Sequence, residues 1–464
     1  MKIKNDINPH VFREYDIRGV YPHDIDADMA YTFGLSYGSY LQENFNVNKV
    51  AIGYDNRLSS KELNDALVKG LLEVGCDIIN IGLCTTPALY YARYKYNRPG
   101  IMITASHNPR EENGFKFSFN ASINAFGATI AGFKDYLYRF NYLKGDGSYQ
   151  AVNDFNDEYV SFLQKNIKMG PRKLKIIVDC GNGTASILDE KVFNHYSWDI
   201  KYIYTNSDGS FPHHHPDPNV EANLSVLKET VLKENADVGV SFDGDEDRLG
   251  VINELGEFIP IDHLMIIFIR DIIKRVEDKT FLYDVKCSKS LSDEIEKLGG
   301  NPYCYRTGAS YTQAKVIEDN LPFGGEYSGH IYFNDRSMPV LGSGFYAALR
   351  LLEILSNTNK QISELLFGIN DYINIPEERI PCDDDIKFAL VENIKNYCGE
   401  KQYPFLDIDG VRINLDKGWA LIRASNTGPM LTVRFEAKTA VDLENIQKEF
   451  INIINEEKAI LAQD

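Results

Sequence analysis

The sequence predicts an α/β protein made of three similar mixed-sheet α/β domains and a smaller C-terminal α+β domain. Three observations predict it. Short apolar runs alternate with helical patterns for most of the chain, the signature of parallel α/β units. The scheme recurs three times with little identity between copies. The length, 464 residues, allows roughly three or four domains at ~100–200 residues each.

In the first unit, 49–53 reads as a strand, 61–74 as a helix, 76–81 as a strand, 88–96 as a helix and 100–104 as a strand. The second runs strand 174–179, helix 184–193, strand 199–204, helix 224–234 and strand 237–242. The third runs strand 280–285, helix 291–298, strand 302–305, helix 311–318, a strand from Phe323 and helix 344–355. A polar, Gly-rich stretch at 144–153 separates the first two units, and a hairpin over 249–261, turning at Gly256, closes the second. The fourth region differs: 410–415, 418–423 and 430–436 read as antiparallel strands under a helix at 441–457. The expected domains are therefore 1–152, 153–256, 257–370 and 371–464.

Composition narrows the function. Hydrophobic residues make up 44% and charged residues 25%, so large cores are expected rather than disorder. A net charge of −18 and a pI near 5.0 argue against nucleic-acid or acidic-membrane binding, which needs clustered Lys and Arg. An anionic small molecule stays possible where cations gather locally. The opening MKIKNDINPH has no apolar stretch after its lysines, and the most apolar segment, 264–273, is broken by Arg270 and Asp271. A cytoplasmic protein with no secretory signal and no membrane span is expected. Seven scattered cysteines without a C-x-x-C pair read as reduced core thiols.

In open α/β sheets, ligands gather at the carboxyl ends of strands, so the loops after Thr104, Phe242 and Phe323 come first. Thr104-Ala105-Ser106-His107-Asn108-Pro109 places a serine where it leaves a strand, with His107 beside it and Lys116 shortly after. Such a serine can act as a nucleophile toward phosphorus; the same residues also make ordinary turns. Asp243-Gly244-Asp245-Glu246-Asp247-Arg248 sets three carboxylates at alternate positions of an extended loop. They repel unless a hard divalent cation sits between them. An EF-hand ending at Glu254 competes, but Arg248 stands where that loop needs glycine and a strand precedes it. Mg²⁺ is the better fit, and a solvated acidic loop is the plain alternative.

Phe323-Gly324-Gly325-Glu326-Tyr327-Ser328-Gly329-His330 offers groups that suit sugar hydroxyls, though such turns also occur without a ligand. Arg423-Ala424-Ser425-Asn426-Thr427-Gly428-Pro429 lies between two strands and reads as a phosphate cradle or a plain hairpin turn. Tyr15 and Arg18 lie in a further cationic stretch, and Pro212-His213-His214-His215-Pro216 reads as a loop-shaping tract rather than a zinc site. No nucleotide-binding glycine motif follows a strand.

Together FREYDIRG, TASHNP, NGFK, FDGDEDR, DVKCS, GEYSGH and RASNTGP resemble, in order and across essentially the whole chain, the α-D-phosphohexomutase superfamily, and within it bacterial phosphomannomutase/phosphoglucomutase. The resemblance implies four domains around a central cleft, with Ser106 phosphorylated during turnover. It implies Mg²⁺ held by Asp243, Asp245, Asp247 and a phosphoserine oxygen of Ser106. Glu326 and Ser328 would bind sugar hydroxyls, and Arg423, Ser425, Asn426 and Thr427 the phosphate not being transferred. Tyr15, Arg18, Lys116, Arg248, Lys286, Gly308 and His330 would line the site. Relatives often carry His where this chain has Ala309, leaving Lys116, Arg18 and His107 as candidates for the sugar-hydroxyl proton. The implied reaction interconverts hexose 1-phosphate and hexose 6-phosphate, of glucose and mannose, through a hexose 1,6-bisphosphate, in a monomer or weak homo-oligomer. A phosphoglucosamine mutase and a non-catalytic phosphosugar-binding protein are the alternatives.

Overall fold

The computed structural model describes residues 1–375, 377–425 and 429–461. Four sheets form in chain order. The first has six strands, in spatial order Ile17–Val20, Glu112–Ser118, Gly100–Ile103, Lys49–Tyr54, Asp77–Leu83 and Tyr149–Ala151. The second and third have four strands each, and the fourth is antiparallel throughout its described pairings.

The first three sheets share one plan. The first of three parallel strands in each (Lys49–Tyr54, Lys175–Asp179, Thr280–Asp284) lies between the other two. The strand after the third (Glu112–Ser118, Leu249–Asn253, Ile331–Phe333) runs antiparallel beside it. A parallel neighbour needs a long crossover, usually a helix, and the connection here is too short for one. Each sheet is therefore mixed rather than parallel throughout. The consequence for function is topological. The TASHNP, FDGDEDR and GEYSGH loops occupy the same place in three copies of one unit, between the last parallel strand and its antiparallel neighbour.

Two sequence expectations need correction. The segment expected as one helix over 184–193 splits into a 3-10 turn, Thr184–Ile187, and a short helix, Asp189–Phe193. Its start is diverted because Thr184 gives both its N–H and its hydroxyl to the Gly244 carbonyl, at 2.9 and 3.1 Å. The hairpin expected over 249–261 shrinks to a single bridge, Ile252 to Phe258. The Asn253 side chain accepts from the amides of Leu255 and Glu257, at 3.0 and 2.8 Å, which ends the strand in a tight turn. After Pro260 comes the helix Ile261–Ile272, so the apolar stretch is a buried core helix. Among the described residues no helix is long and apolar enough to cross a membrane.

Packing explains why the fourth region stands apart. One continuous apolar core includes residues of all three α/β units, among them Leu89, Phe155, Phe242, Phe268 and Phe345. The C-terminal sheet keeps its own core under the helix Ala440–Leu461. It meets the third unit through polar contacts, such as Arg412 donating to the Cys287 carbonyl at 2.8 Å and Lys289 N–H to Glu436 at 2.9 Å, and through a small apolar cluster of Val285 with Trp419 and Leu421. The seven cysteines are free thiols, six of them buried.

Candidate active site

Ser106 is 1% exposed and holds a left-handed backbone, φ 53°. Outside glycine that conformation costs about 1–2 kcal/mol and persists only where the surroundings enforce it. The enforcer is Arg57, in the loop after Lys49–Tyr54 and 2% exposed. Its guanidinium donates to the carbonyls of Ser106, Asn108 and Pro109 at 2.7 Å and of Glu112 at 3.0 Å, and pairs with Asp55 at 3.2 Å. Thr104 accepts the Ser106 N–H at 2.8 Å, and Arg18 donates to the Asn108 side chain at 2.6 Å. The Ser106 hydroxyl then points at Asp243, 2.9 Å away, with His107 Nδ1 at 3.3 Å. Burial, and then the charges of Arg248, Arg18 and His330, hold His107 well below its usual pKa, so its ring is neutral near pH 7.

Opposite lies the acidic loop. Asp243, Asp245 and Asp247 are buried and each offers one oxygen within 4.8 Å of the others. Asp243 accepts from the amides of Asp247 and Arg248 at 2.9 and 3.1 Å, which curls the loop around it. Gly244 presses against the serine loop so closely that a Cβ there would collide with the Ser106 carbonyl. Lys116 donates to Asp245 at 2.7 Å and Asp247 at 2.6 Å, and the Thr86 hydroxyl to Asp245 at 2.6 Å. Burial, with repulsion from Asp247 and Asp245, drives Asp243 well above the carboxylate range. Burial acts on Asp247 in the same direction, but Lys116 and His330 outweigh it and hold that group low. Two oxygens, Asp245 Oδ1 and Asp247 Oδ1, are buried without a hydrogen-bond partner, the second within ion-pair reach of His330. An all-oxygen set, crowded, dry and with an unsatisfied acceptor, fits a hard divalent cation. Glu254 sits elsewhere, taking a hydrogen bond from Ser363.

The third loop closes on this one. Glu326 is 1% exposed and accepts the Gly308 N–H. His330 Nδ1 lies 3.0 Å from Ser328 Oγ and 3.3 Å from Glu326, while its Nε2 lies 3.2 Å from Asp247. Burial works against the charged ring, yet Asp247 and Glu326 outweigh it and raise His330. Arg248 stands 3.8 Å from Asp243 and 3.9 Å from Asp217. Tyr15, near Gly308, is raised by burial and by Asp16.

In the fourth region Arg423 pairs with Asp409 at 3.1 Å, and Asp409 also accepts the Thr307 N–H at 3.1 Å, joining the third and fourth units. Lys286 pairs with Glu377 at 3.3 Å. Ser425 is held by its amide on Met430 O, 2.9 Å, and by Lys387 on its carbonyl, 2.7 Å. Asn426 and Thr427 lie outside the described residues. Ala309 opens the helix Ala309–Glu318, its carbonyl accepting from Tyr332 at 3.0 Å. The histidine tract is bound into its loop: His214 faces Asp179 at 3.2 Å, and His213 stacks on Tyr204.

Contacts thus link Ser106, His107, Arg18, Lys116, the three aspartates, Arg248, Gly308, Glu326, Ser328 and His330. Arg423 joins through Asp409 and Thr307, while Lys286 pairs with Glu377. Sequence reasoning missed Arg57, Thr86 and Asp409. Arg57 had a signal, since Asp55-Asn56-Arg57 follows an apolar strand as the other site loops do. Thr86 and Asp409 carried none, because their contacts come from distant segments.

Four domains of the phosphoglucomutase/phosphomannomutase family match the chain: alpha/beta/alpha domain I over 9–132, domain II over 157–256, domain III over 260–372 and the C-terminal domain over 377–453. A phosphomannomutase/phosphoglucomutase of Pseudomonas syringae pv. tomato is 38% identical over 95% of this chain and 94% of its own. A phosphoglucomutase of Neisseria meningitidis serogroup A is 32% identical over 96% of each. A solved structure of a family protein from Burkholderia thailandensis superposes with a TM-score of 0.90 at 33% identity, over 98% of both chains. The chain belongs to the phosphoglucomutase/phosphomannomutase family and is an enzyme of the hexose-phosphate mutase class. The expected fold class is borne out with it.

Proposed function

We propose that this enzyme interconverts the 1- and 6-phosphates of glucose and mannose through a phosphoserine at Ser106 and a hexose 1,6-bisphosphate. The observation that carries the reading is the Ser106 hydroxyl aimed at Asp243, 2.9 Å away, in a ring of three buried aspartates shared with Lys116. Phosphoryl transfer needs positioning and charge neutralisation more than covalent help from the protein. Asp243, Asp245, Asp247 and a serine-phosphate oxygen would hold Mg²⁺, which would supply positive charge against the negative charge on the transferring group.

The chain's own groups do the rest. The serine P–O bond breaks as a bond forms from phosphorus to the free sugar hydroxyl, whose proton must leave. Asp245 and Asp247 outweigh burial to keep Lys116 protonated, so Lys116 and Arg18 serve as charge partners. Neutral His107, 3.3 Å from the serine hydroxyl, is the candidate left to accept that proton. Glu326 and Ser328 grip sugar hydroxyls, while Arg423, Ser425, Asn426 and Thr427 hold the other phosphate, with Tyr15, Arg248, Lys286, Gly308 and His330 lining the space. The bisphosphate then turns around and returns its other phosphoryl group to Ser106, with proton movement reversed. We read the domains as 1–152, 153–256, 257–370 and 371–464, in a cytoplasmic monomer or weak homo-oligomer.

The test uses glucose 1-phosphate with a trace of glucose 1,6-bisphosphate, assayed for glucose 6-phosphate, beside intact-protein mass spectrometry. The wild type should form product and carry one phosphate; Ser106→Ala should do neither. Wild-type turnover by Ser106→Ala would overturn the mechanism. A protein that binds the sugar phosphate without turnover would be the non-catalytic alternative.

A further inference from the structure

Glu246 sits between two of the aspartates, and the reading above gives it no role. Its position is unfavourable on two counts. Its φ is 71°, a conformation glycine adopts freely and a side chain does not. Its carboxyl is 0% exposed, where a polar group is costly unless hydrogen-bonded. Both costs are met by contacts with another unit. Glu246 Oε1 accepts the Phe345 N–H at 2.6 Å and the Ser343 hydroxyl at 2.9 Å, and its carbonyl accepts the Gly344 N–H at 2.9 Å. Ser343 accepts the Tyr346 N–H at 3.1 Å and the Tyr159 hydroxyl at 2.8 Å. One residue of the acidic loop thus serves two of the first amides of the 13-residue helix Gly344–Ser356 and braces its N-cap. The helix start is packed hard onto the loop: a Cβ on Gly344 would lie 2.6 Å from the Arg248 carbonyl and 3.1 Å from that of Glu246.

We propose that Glu246 is a positioning residue, capping the helix Gly344–Ser356 with backbone and side chain so that the kink at 246 turns Asp245 and Asp247 toward one shared point. The inference rests on the reading of the three aspartates as a Mg²⁺ site. It differs from a merely structural tie, which would affect melting and leave metal affinity alone. It also opposes the expectation from strain, since glycine at φ 71° should relax the loop.

Mg²⁺ titration by calorimetry, with no substrate present, separates these. Glu246→Gly should bind Mg²⁺ roughly 10- to 100-fold more weakly, the usual effect of losing an outer partner of a metal ligand, with KM for glucose 1-phosphate unchanged. Glu246→Gln should stay close to wild type, because its amide oxygen accepts the same two bonds. Ser343→Ala, which removes one donor, should weaken binding by a smaller factor. It carries the test if Glu246→Gly does not fold. Wild-type Mg²⁺ affinity in both variants overturns the proposal while leaving the metal site standing. If the wild type binds no Mg²⁺, or Asp245→Asn binds it equally well, the metal reading itself falls.

Discussion

Arg57→Lys keeps a positive charge under the serine loop and removes the fork. In the wild type one terminal nitrogen serves the carbonyls of Pro109 and Glu112 and the other those of Ser106 and Asn108. A lysine ammonium is one atom with three donors and cannot occupy both places. Two charged hydrogen bonds are therefore lost, at about 1.5 kcal/mol each, or about 3 kcal/mol. Those holding Ser106 and Asn108 are the ones that enforce φ 53° at the serine. If that energy falls on serine alignment, kcat drops roughly 100-fold at 1.36 kcal/mol per decade. The distal groups Arg423 and Lys286 do not contact Arg57, so KM should hold. The assay is steady-state conversion of glucose 1-phosphate, with circular dichroism to verify folding. A folded Arg57→Lys with kcat within about twofold of wild type would refute the argument that this arginine sets the serine's geometry.

Asp245→Asn, or removal of divalent metal with EDTA, should abolish turnover while the fold persists; full-rate turnover after EDTA would refute the metal assignment. Arg423→Ala removes a charge-assisted hydrogen-bond donor worth roughly 1.5–3 kcal/mol, so kcat/KM should fall at least tenfold, mainly through KM; an unchanged value would remove the distal cradle. Glucose 1-phosphate and mannose 1-phosphate should give comparable kcat/KM when measured beside glucosamine 1-phosphate. The reason is that Glu326 and Ser328 are expected to grip the hydroxyls these two sugars share, leaving no polar partner dedicated to the second carbon. A clear preference for the amino sugar would favour the phosphoglucosamine mutase reading.

Much of this was legible in sequence because the site sits where apolar strands end. Strands such as 49–53 and 280–285, and the loops at Ser106, Asp243 and Glu326, follow from local pattern alone. What was not legible depends on distant pairing. The antiparallel strand Glu112–Ser118 has no distinctive pattern, since it is buried on both faces. The helix Ala27–Phe45 is buried on most of its surface, which blurs the one-sided periodicity that marks a helix. Arg57 serves carbonyls some fifty residues away, and Thr86 meets Asp245 from another unit. Glu246 lay inside a recognised motif and was still passed over, because its role belongs to the helix beginning at Gly344.

On the proposed reading, the pairing of the site's cations would let a chain of net charge −18 take up dianionic phosphates and release them. Lys116 is paired with Asp245 and Asp247, Arg423 with Asp409, and Lys286 with Glu377. Each of these cations is largely buried, and a bare charge there would be expensive. An arriving phosphate therefore exchanges one anionic partner for another and avoids approaching an uncompensated cation. The same exchange would, on that reading, limit how tightly either phosphate is held, since Asp409 and Glu377 would compete for Arg423 and Lys286. A mutase that turns its bisphosphate around needs that limit, because a cradle too strong for one pose would trap the intermediate before the second transfer. Those two carboxylates stand on the C-terminal region, which keeps a separate core and meets the third unit through polar contacts and one small apolar cluster. Under the proposed reading the phosphate grip would thus depend on the region whose main core is separate from the shared one.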